Sequence, residues 1–469
     1  MDRAAFEEHL RNPAYRGAAE EGGHDGIAGG VPCGDIVRFS VRVEGDRVSG
    51  VSFDASGCGA MVAAGSAAAS LVAEASVVEA ARVGPQEIAA ELGGLSPGKL
   101  HAADLAADAL ARALGSAVFA GADVPARPDR TLVAMSGGVD SAVAALACRD
   151  GGEGDVVAVT LELWRDEEGD AEGSCCSASA VIRARRVARA LGIPHFTLDL
   201  REDFRREVVD PWIQGHRDGQ TPNPCIRCNG GLRLDAMIAF ADRLGAARLA
   251  TGHYARREAG GRLLTGADAS KDQSYMLSAL SADSVERMHF PLGMLTKDQV
   301  RERARQAGLE VASTPDSQDL CFLAGVGRTA FLRRFGQMGE KRGPIVLSDG
   351  TVVGEHAGAH RFTVGQRRGL DVGGLPEPVY VLETDVRANV VTVGTRDELV
   401  RDEIQLTDLR LSEEPEAVST VRLRSHAPAV GCRLEGTRIQ LEQAVVAPAP
   451  GQTAVFLRGD RVVGCATIA

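Results

Sequence analysis

The sequence predicts a multidomain protein in four parts: an N-terminal α+β domain, an α/β domain on a parallel sheet, a small central β-rich domain and a C-terminal β-barrel. Three observations predict this. The chain has 469 residues, too many for one ordinary domain. Its texture changes across Gly121-Ala122-Asp123-Val124-Pro125-Ala126-Arg127-Pro128, which carries two prolines and no helical or strand period and reads as a linker. Strand-helix alternation follows, and from about Gly343 it gives way to short alternating strands separated by glycine and proline. The boundaries expected are 1–125, 126–325, 326–398 and 399–469.

Taken in order, Ile36 to Val51 alternates apolar and polar residues on both sides of Glu44-Gly45-Asp46, the pattern of a hairpin. Small-residue helical patterns run from Cys58 to Ala90 and from His101 to Leu114. Strands are expected at Thr131 to Met135, Val156 to Leu163, Ile193 to Leu198 and Arg248 to Thr251, with helices from Ser141 and over Ala178 to Leu191. Such alternation favours a parallel sheet covered by helices. Farther on, Val379 to Leu382, Val390 to Val393 and Val455 to Leu457 read as strands of the two β-rich parts.

Composition excludes several classes. Hydrophobic residues make up 44% and charged residues 25%, as in globular proteins. The alanine-rich stretch Ala60 to Ala73 is broken by Gly65, Ser66 and Ser70 and is too short for a membrane span. The N-terminus lacks a basic region leading into an apolar core, so a cytoplasmic protein is expected. A net charge of -12 speaks against nucleic acid, but residues 1–125 hold 9 basic against 17 acidic residues, so most of the acidity lies in front. Ten cysteines in a chain of this class would stay reduced, and their spacing is read for sulfur or metal chemistry.

Ser136-Gly137-Gly138-Val139-Asp140-Ser141 stands between an apolar strand and a helix. Adjacent glycines allow a tight turn whose N–H groups, with the helix N-terminus, face an anion. The lysine of a Walker A loop is missing. The string resembles the PP-loop of ATP pyrophosphatases, an adenine nucleotide alpha hydrolase-like fold in which ATP adenylates a carbonyl oxygen. The resemblance implies that Asp140 and the two serines handle Mg²⁺ and pyrophosphate.

Cys225 and Cys228 lie in Thr221-Pro222-Asn223-Pro224-Cys225-Ile226-Arg227-Cys228-Asn229, and Cys321 in Asp316-Ser317-Gln318-Asp319-Leu320-Cys321-Phe322. Tetrahedral zinc would need a second pair at comparable spacing. Together with Ala250 to Arg256, Lys271 to Tyr275 and Thr363 to Leu370, these strings make residues from about 130 to 469 resemble the tRNA-specific 2-thiouridylase (MnmA) family.

That resemblance implies replacement of oxygen by sulfur at carbon 2 of the wobble uridine of tRNA. Ala134, Met135, Ser136, Gly137, Gly138, Val139, Asp140, Ser141, Leu161 and Gly252 would contact ATP. Cys321 would carry a persulfide and Cys228 would act as nucleophile or resolving thiol. Asn223, Pro224 and Cys225 would surround the base, and His253, Lys271, Asp272, Gln273, Arg424, Ser425 and Gln452 would meet the tRNA. Some family members have an aspartate at the position of Cys225, and its acid-base role is not carried over. Two sulfur routes stay open: the persulfide, or a 4Fe-4S cluster on Cys225, Cys228 and Cys321 with an open iron position. The rival readings are another PP-loop adenylating ligase and an iron-sulfur assembly or carrier protein with an inactive loop. Arg183, Arg185, Arg186 and Arg189, with Arg333, Arg334, Lys341, Arg342, Arg367 and Arg368, are either phosphate contacts or a solvated face. Cys148, Cys432 and Cys465 read as buried apolar residues, and Cys175-Cys176 as a pair whose function the sequence leaves open.

Pro32 to Asp35, Gly57 to Ala60 and Lys99 to His101 resemble the IscU/NifU type of iron-sulfur scaffold over residues 1–118. The family's ligands fall on Cys33, Asp35, Cys58 and His101, a set for zinc or an iron-sulfur cluster, while the third cysteine is replaced by Ala102. The fusion implies a tethered partner that recruits a cysteine desulfurase or delivers a cluster.

Overall fold

A computed structural model describes residues 3–30, 34–152, 154–166, 178–315, 320–323 and 325–469. Cys33, Cys175, Cys176 and Asp316 to Asp319 lie outside the described residues.

The front part is α+β. Strands His24–Gly29, Ile36–Glu44 and Arg47–Ser56 form an antiparallel sheet in that order, and Gly45, at φ 61°, turns the expected hairpin. The first strand carries two glycines and escapes an alternation test. One of them, Gly26, has a packing reason: a Cβ there would lie 2.1 Å from the carbonyl oxygen of Ala109. Strand and helix backbones therefore touch, and the helix Leu100–Gly121 supplies the small residues this requires, with Ala102, Ala106, Ala109 and Ala113 fully buried.

The second part is a five-stranded parallel sheet in the order Met288–His289, Ala246–Ala250, Arg127–Ala134, Val156–Glu162, His195–Asp199. Val157, Ala158 and Val159 are fully buried, as strands covered on both faces must be. The edge strand Met288–His289 is too short for any period to announce it.

The stretch read as a linker is short and tied down, with Ala122 and Val124 buried and Pro125 to Pro128 exposed. The long helix ends at Gly121 and the first sheet strand already begins at Arg127. Between them Asp123 donates its N–H to Gly45 (2.9 Å) and Val124 to Arg243 (3.1 Å). A Cβ on Gly115 would lie 2.0 Å from the carbonyl oxygen of Thr197, so the front domain's helix lies against the edge strand of the next domain. The two share one continuous apolar core, in which Phe119 meets Phe240 at 6.3 Å.

Behind these come a four-stranded sheet ordered Val352–His356, Gly343–Leu347, Val390–Gly394, Tyr380–Asp385, and a barrel. The barrel runs Val400–Leu411, Arg438–Val446, Val430–Glu435, Thr420–Arg422, Thr453–Arg458, Arg461–Ile468, and the last strand pairs back on the first. Closure removes the exposed edges an open sheet would present. A hairpin of the α/β domain, Ala255–Glu258 with Arg262–Thr265, adds to this sheet. Cys432 and Cys465 are buried in barrel strands and Cys148 in the helix Val139–Asp150, as expected. Among the described residues no helix is long and apolar enough to cross a membrane.

Candidate active site

The strand Arg127–Ala134 delivers the chain into the glycine turn, and the helix Val139–Asp150 leaves it. Gly137 adopts φ 73°, and a Cβ there would meet the carbonyl oxygen of Ala180 at 2.4 Å. Only glycine satisfies both conditions. Ser141 locks the turn: its Oγ accepts from Ser136 N–H (3.1 Å) and donates to the Gly138 carbonyl (3.0 Å).

A cavity of about 200 Å³ opens over this turn. Ala134, Met135, Ser136, Asp140, Ser141, Leu161 and Gly252, all expected to contact ATP, line it. Gly252 closes its floor, where a Cβ would sit 2.7 Å from backbone atoms of Asp140 and Ser141. His253 and Gln273, expected to meet tRNA, line the same cavity. His253 Nδ1 lies 2.9 Å from Thr251 Oγ1, and burial, followed by the Arg233 guanidinium, pushes its pKa down to about 3. Gln273 Oε1 accepts from Tyr254 N–H at 3.0 Å.

Sequence reasoning missed three residues. Lys297 places Nζ 2.8 Å from each carboxylate oxygen of Asp140, and the Tyr254 hydroxyl donates to the same carboxylate at 2.9 Å. Arg233 lines the cavity. The loop lacks a Walker lysine, yet a lysine from a helix far along the chain, Lys297–Gln306, stands beside it. Asp140 keeps its side chain 32% exposed, so a carboxylate and the Ser136 and Ser141 hydroxyls fit the sparse protein ligation typical of Mg²⁺ with a nucleotide.

The thiols converge on one support. Asn223 caps the short helix Pro224–Cys228 by accepting from Cys225 N–H at 3.0 Å. Cys228 is buried and Cys225 half-buried. From Pro224 the helical run continues through the π turn Asn229–Arg233 into Leu234–Arg243, so one rod joins Cys228 to Arg233 at the cavity. Five residues at the helical rise separate them by only about 7 Å. A π turn recurs often where function demands a helix be reshaped. Half-buried Cys321 sits in a turn fixed by its neighbour Phe322, whose ring meets Trp212 at 5.2 Å and Phe204 at 5.9 Å. Those two aromatics flank another π turn, Arg205–Val209, and Arg227 of the first thiol helix donates to the Glu207 carbonyl within it. Both cysteine-bearing segments thus rest on residues 204–212.

The remaining expected tRNA contacts divide. Arg424 is exposed and Lys271 and Ser425 half-buried. Asp272 is buried, accepting from Gly266 N–H, the Ser274 hydroxyl and Arg422, the last at 2.6 Å, which makes it a strut to the barrel. Gln452 donates to the Thr221 carbonyl. Asn223 and Pro224 line a second cavity of about 630 Å³ between the α/β domain and the barrel, with Arg227 and Arg410 at its wall. Of the arginines of Ala178–Ala190, Arg185 is buried against Asp108 of the front domain, Arg189 shares a cavity with Glu87 and Asp104, Arg183 is half-buried and Arg186 is exposed. Arg334 is paired to Asp166 at 2.7 Å.

In the front domain, Asp35, Cys58 and His101 bring one ligand atom each within 4.8 Å of one another. Asp35 is buried, accepts Cys58 N–H at 2.8 Å and the thiol at 3.3 Å, and faces His101 Nε2 at 3.0 Å. The Cys58 N–H bond, then the contacts of His101 and the thiol, hold its carboxyl below the usual range. His101 Nδ1 faces the Gly98 carbonyl at 3.1 Å. A neutral ring donates to one oxygen only, so the donor set of His101, Asp35 and Cys58 suits a metal ion, which these three side chains would hold. Ala102, in the place of the family's third cysteine, is fully buried.

Comparison with known proteins agrees with this anatomy. The model of the NifU-like N terminal domain matches residues 3–118, that of the tRNA methyl transferase HUP domain 129–325, that of the tRNA methyl transferase PRC-barrel domain 329–395, and that of the aminomethyltransferase beta-barrel domain 396–468. A bifunctional protein NifU/MnmA of Rubrobacter xylanophilus is 43% identical over 98% of this chain and 97% of its own. This chain belongs to the bifunctional NifU/MnmA family. The tRNA-specific 2-thiouridylases MnmA of Rhizorhabdus wittichii and Thermobifida fusca are 42% and 43% identical, over 71% and 72% of this chain and 90% and 95% of theirs. These two matches leave out a length comparable to the front domain.

Proposed function

We propose that the chain performs ATP-dependent 2-thiolation of the wobble uridine of tRNA, with the front domain serving sulfur or cluster delivery. The observation that carries this is the helical rod joining Cys228 to Arg233 of the nucleotide cavity. It places the backbone of a thiol-bearing residue five positions along one helical run from an arginine that lines the cavity. The domain descriptions speak of methyl transfer, but a methyltransferase has no need of a pyrophosphatase turn beside paired thiols.

In this reading the uracil oxygen at carbon 2 attacks the α-phosphorus of ATP and pyrophosphate leaves. Val139–Asp150 directs its N-terminus at the departing charge, and Arg233 and Lys297 add cations. Mg²⁺ accompanying the nucleotide would supply further neutralisation, with Asp140, Ser136 and Ser141 as its residues. The terminal sulfur of a Cys321 persulfide adds to carbon 2 and AMP departs. Cys228 then attacks the sulfur of Cys321, forming a disulfide and releasing the thiocarbonyl; an external thiol reduces the disulfide.

A cysteine desulfurase is the class of donor that would load Cys321. Exposed Ile36 and Leu100, next in sequence to Asp35 and His101, offer it an apolar rim at the front site. The test is incubation of the full chain with unmodified tRNA, ATP, Mg²⁺, a desulfurase and cysteine, followed by nucleoside mass spectrometry. A 2-thiouridine product that requires ATP supports the reading, and its absence rejects it. Anaerobic iron and sulfide analysis of the same protein separates the two sulfur routes: about four irons lost on Cys225→Ser supports the cluster, and none supports the persulfide.

A further inference from the structure

The front domain braces, from behind, the elements around the cavity. Strand residues alternate sides, so Leu161 and Leu163 face the cavity while Glu162 between them points the other way. Glu162 is buried, and its carboxylate is bound by Arg112 from the front domain's helix Leu100–Gly121. One turn earlier on that helix, Asp108 pairs with Arg112 at 3.2 Å and with buried Arg185 of the helix Ala178–Ala190. Near its N-terminal end that helix brings the carbonyl of Ala180 so close to Gly137 of the glycine turn that a Cβ there would lie 2.4 Å from it. The strand that lines the cavity and the helix that abuts the glycine turn are therefore both pinned from behind by neighbouring residues of a single foreign helix.

We infer that Asp108 and Arg112 are positioning residues for the nucleotide site, so that the front domain sets ATP affinity in addition to any role in sulfur delivery. This rests on reading the cavity as the ATP site. The physical reason is that both Glu162 and Arg185 are charged and buried: without the clamp each would draw in water or rotate, taking the backbone of Leu161 to Leu163 or of Ala180 with it. Arg112 does what lysine would not, since its Nε and terminal nitrogen serve Asp108 and Glu162 at once.

The test is steady-state kinetics of tRNA-dependent AMP formation by the full chain with Asp108→Asn, Arg112→Lys and Glu162→Gln, singly and as the Arg112/Glu162 double variant. KM for ATP is independent of the fraction of active protein, so it separates positioning from partial unfolding. Loss of the clamp should raise KM for ATP by roughly tenfold, within the range of couplings between sites, with a smaller change in kcat. Arg112→Lys, which keeps the charge, should fold and still show the increase, and the double variant should be less than additive. If the wild-type chain saturates with ATP and the variants share its KM within twofold, the clamp is refuted and the ATP site stands. If the wild-type chain shows no saturable ATP dependence, the reading of the cavity fails and the clamp with it.

Discussion

Lys297 Nζ stands 2.8 Å from both carboxylate oxygens of Asp140, bringing an ammonium from a distant helix to the glycine turn that lacks one of its own. The lysine side chain is only 11% exposed, and in the proposed reaction a cation there would stabilise charge that develops on the departing pyrophosphate. Lys297→Met should lower kcat for tRNA-dependent AMP formation by about 10²- to 10³-fold, the cost typical of removing one such group. A variant retaining more than half the wild-type kcat would place Lys297 outside the chemistry.

Gly252 faces backbone, not a movable side chain: its Cβ would lie 2.7 Å from Asp140 C and Ser141 N. Gly252→Ala should therefore displace the glycine turn, cost about 1–3 kcal/mol as overpacking does, and weaken ATP binding. Isothermal titration with ATP checks the second effect and urea unfolding the first.

His253 gives a pH prediction. Its folded pKa is pushed down to about 3, against about 6.5 for an unfolded imidazole. The unfolded chain thus binds the proton first, and stability falls as pH drops from about 6.5 towards 3. His216, pushed to about 3 by burial and then Arg328, acts in the same window. Urea midpoints measured from pH 7 to pH 5 should fall, and His253→Gln should make the fall shallower. An unchanged slope would show that His253 is protonated in the folded chain.

At the front site, Asp35, Cys58 and His101 should bind one zinc per chain when the protein is loaded with the metal, measured by mass spectrometry under native conditions. Cys58→Ser and His101→Ala should each lose it. Retention of zinc by both variants would put the ion elsewhere.

Much of this was legible beforehand for identifiable reasons. The glycine turn and the Cys225 and Cys228 segment are local, so residue type and spacing carried them, and the structure lines the cavity with Ala134 to Ser136, Asp140, Ser141, Leu161 and Gly252. Strands such as Val156–Glu162 are continuous apolar runs. Lys297 and Arg233 were not legible, because neither stands in a motif, and Tyr254, inside the string Ala250 to Arg256, carries no local sign that its hydroxyl meets Asp140. Among the arginines of Ala178–Ala190, Arg185 could not be told from its neighbours in sequence, because its partner, the front domain's Asp108, is distant along the chain. The strand His24–Gly29 was hidden by its two glycines, of which Gly26 packs against Ala109, and the hydrogen bonds that tie the linker to Gly45 and Arg243 come from residues distant in sequence.

The central claim, that a base is adenylated beside the cysteine that hands it sulfur, is tested most directly with Cys321→Ser in the full chain, following AMP transfer to tRNA and 2-thiouridine formation in one reaction. The account predicts that adenylated tRNA forms and accumulates while 2-thiouridine is absent. Loss of both products, or persistence of both, would contradict it.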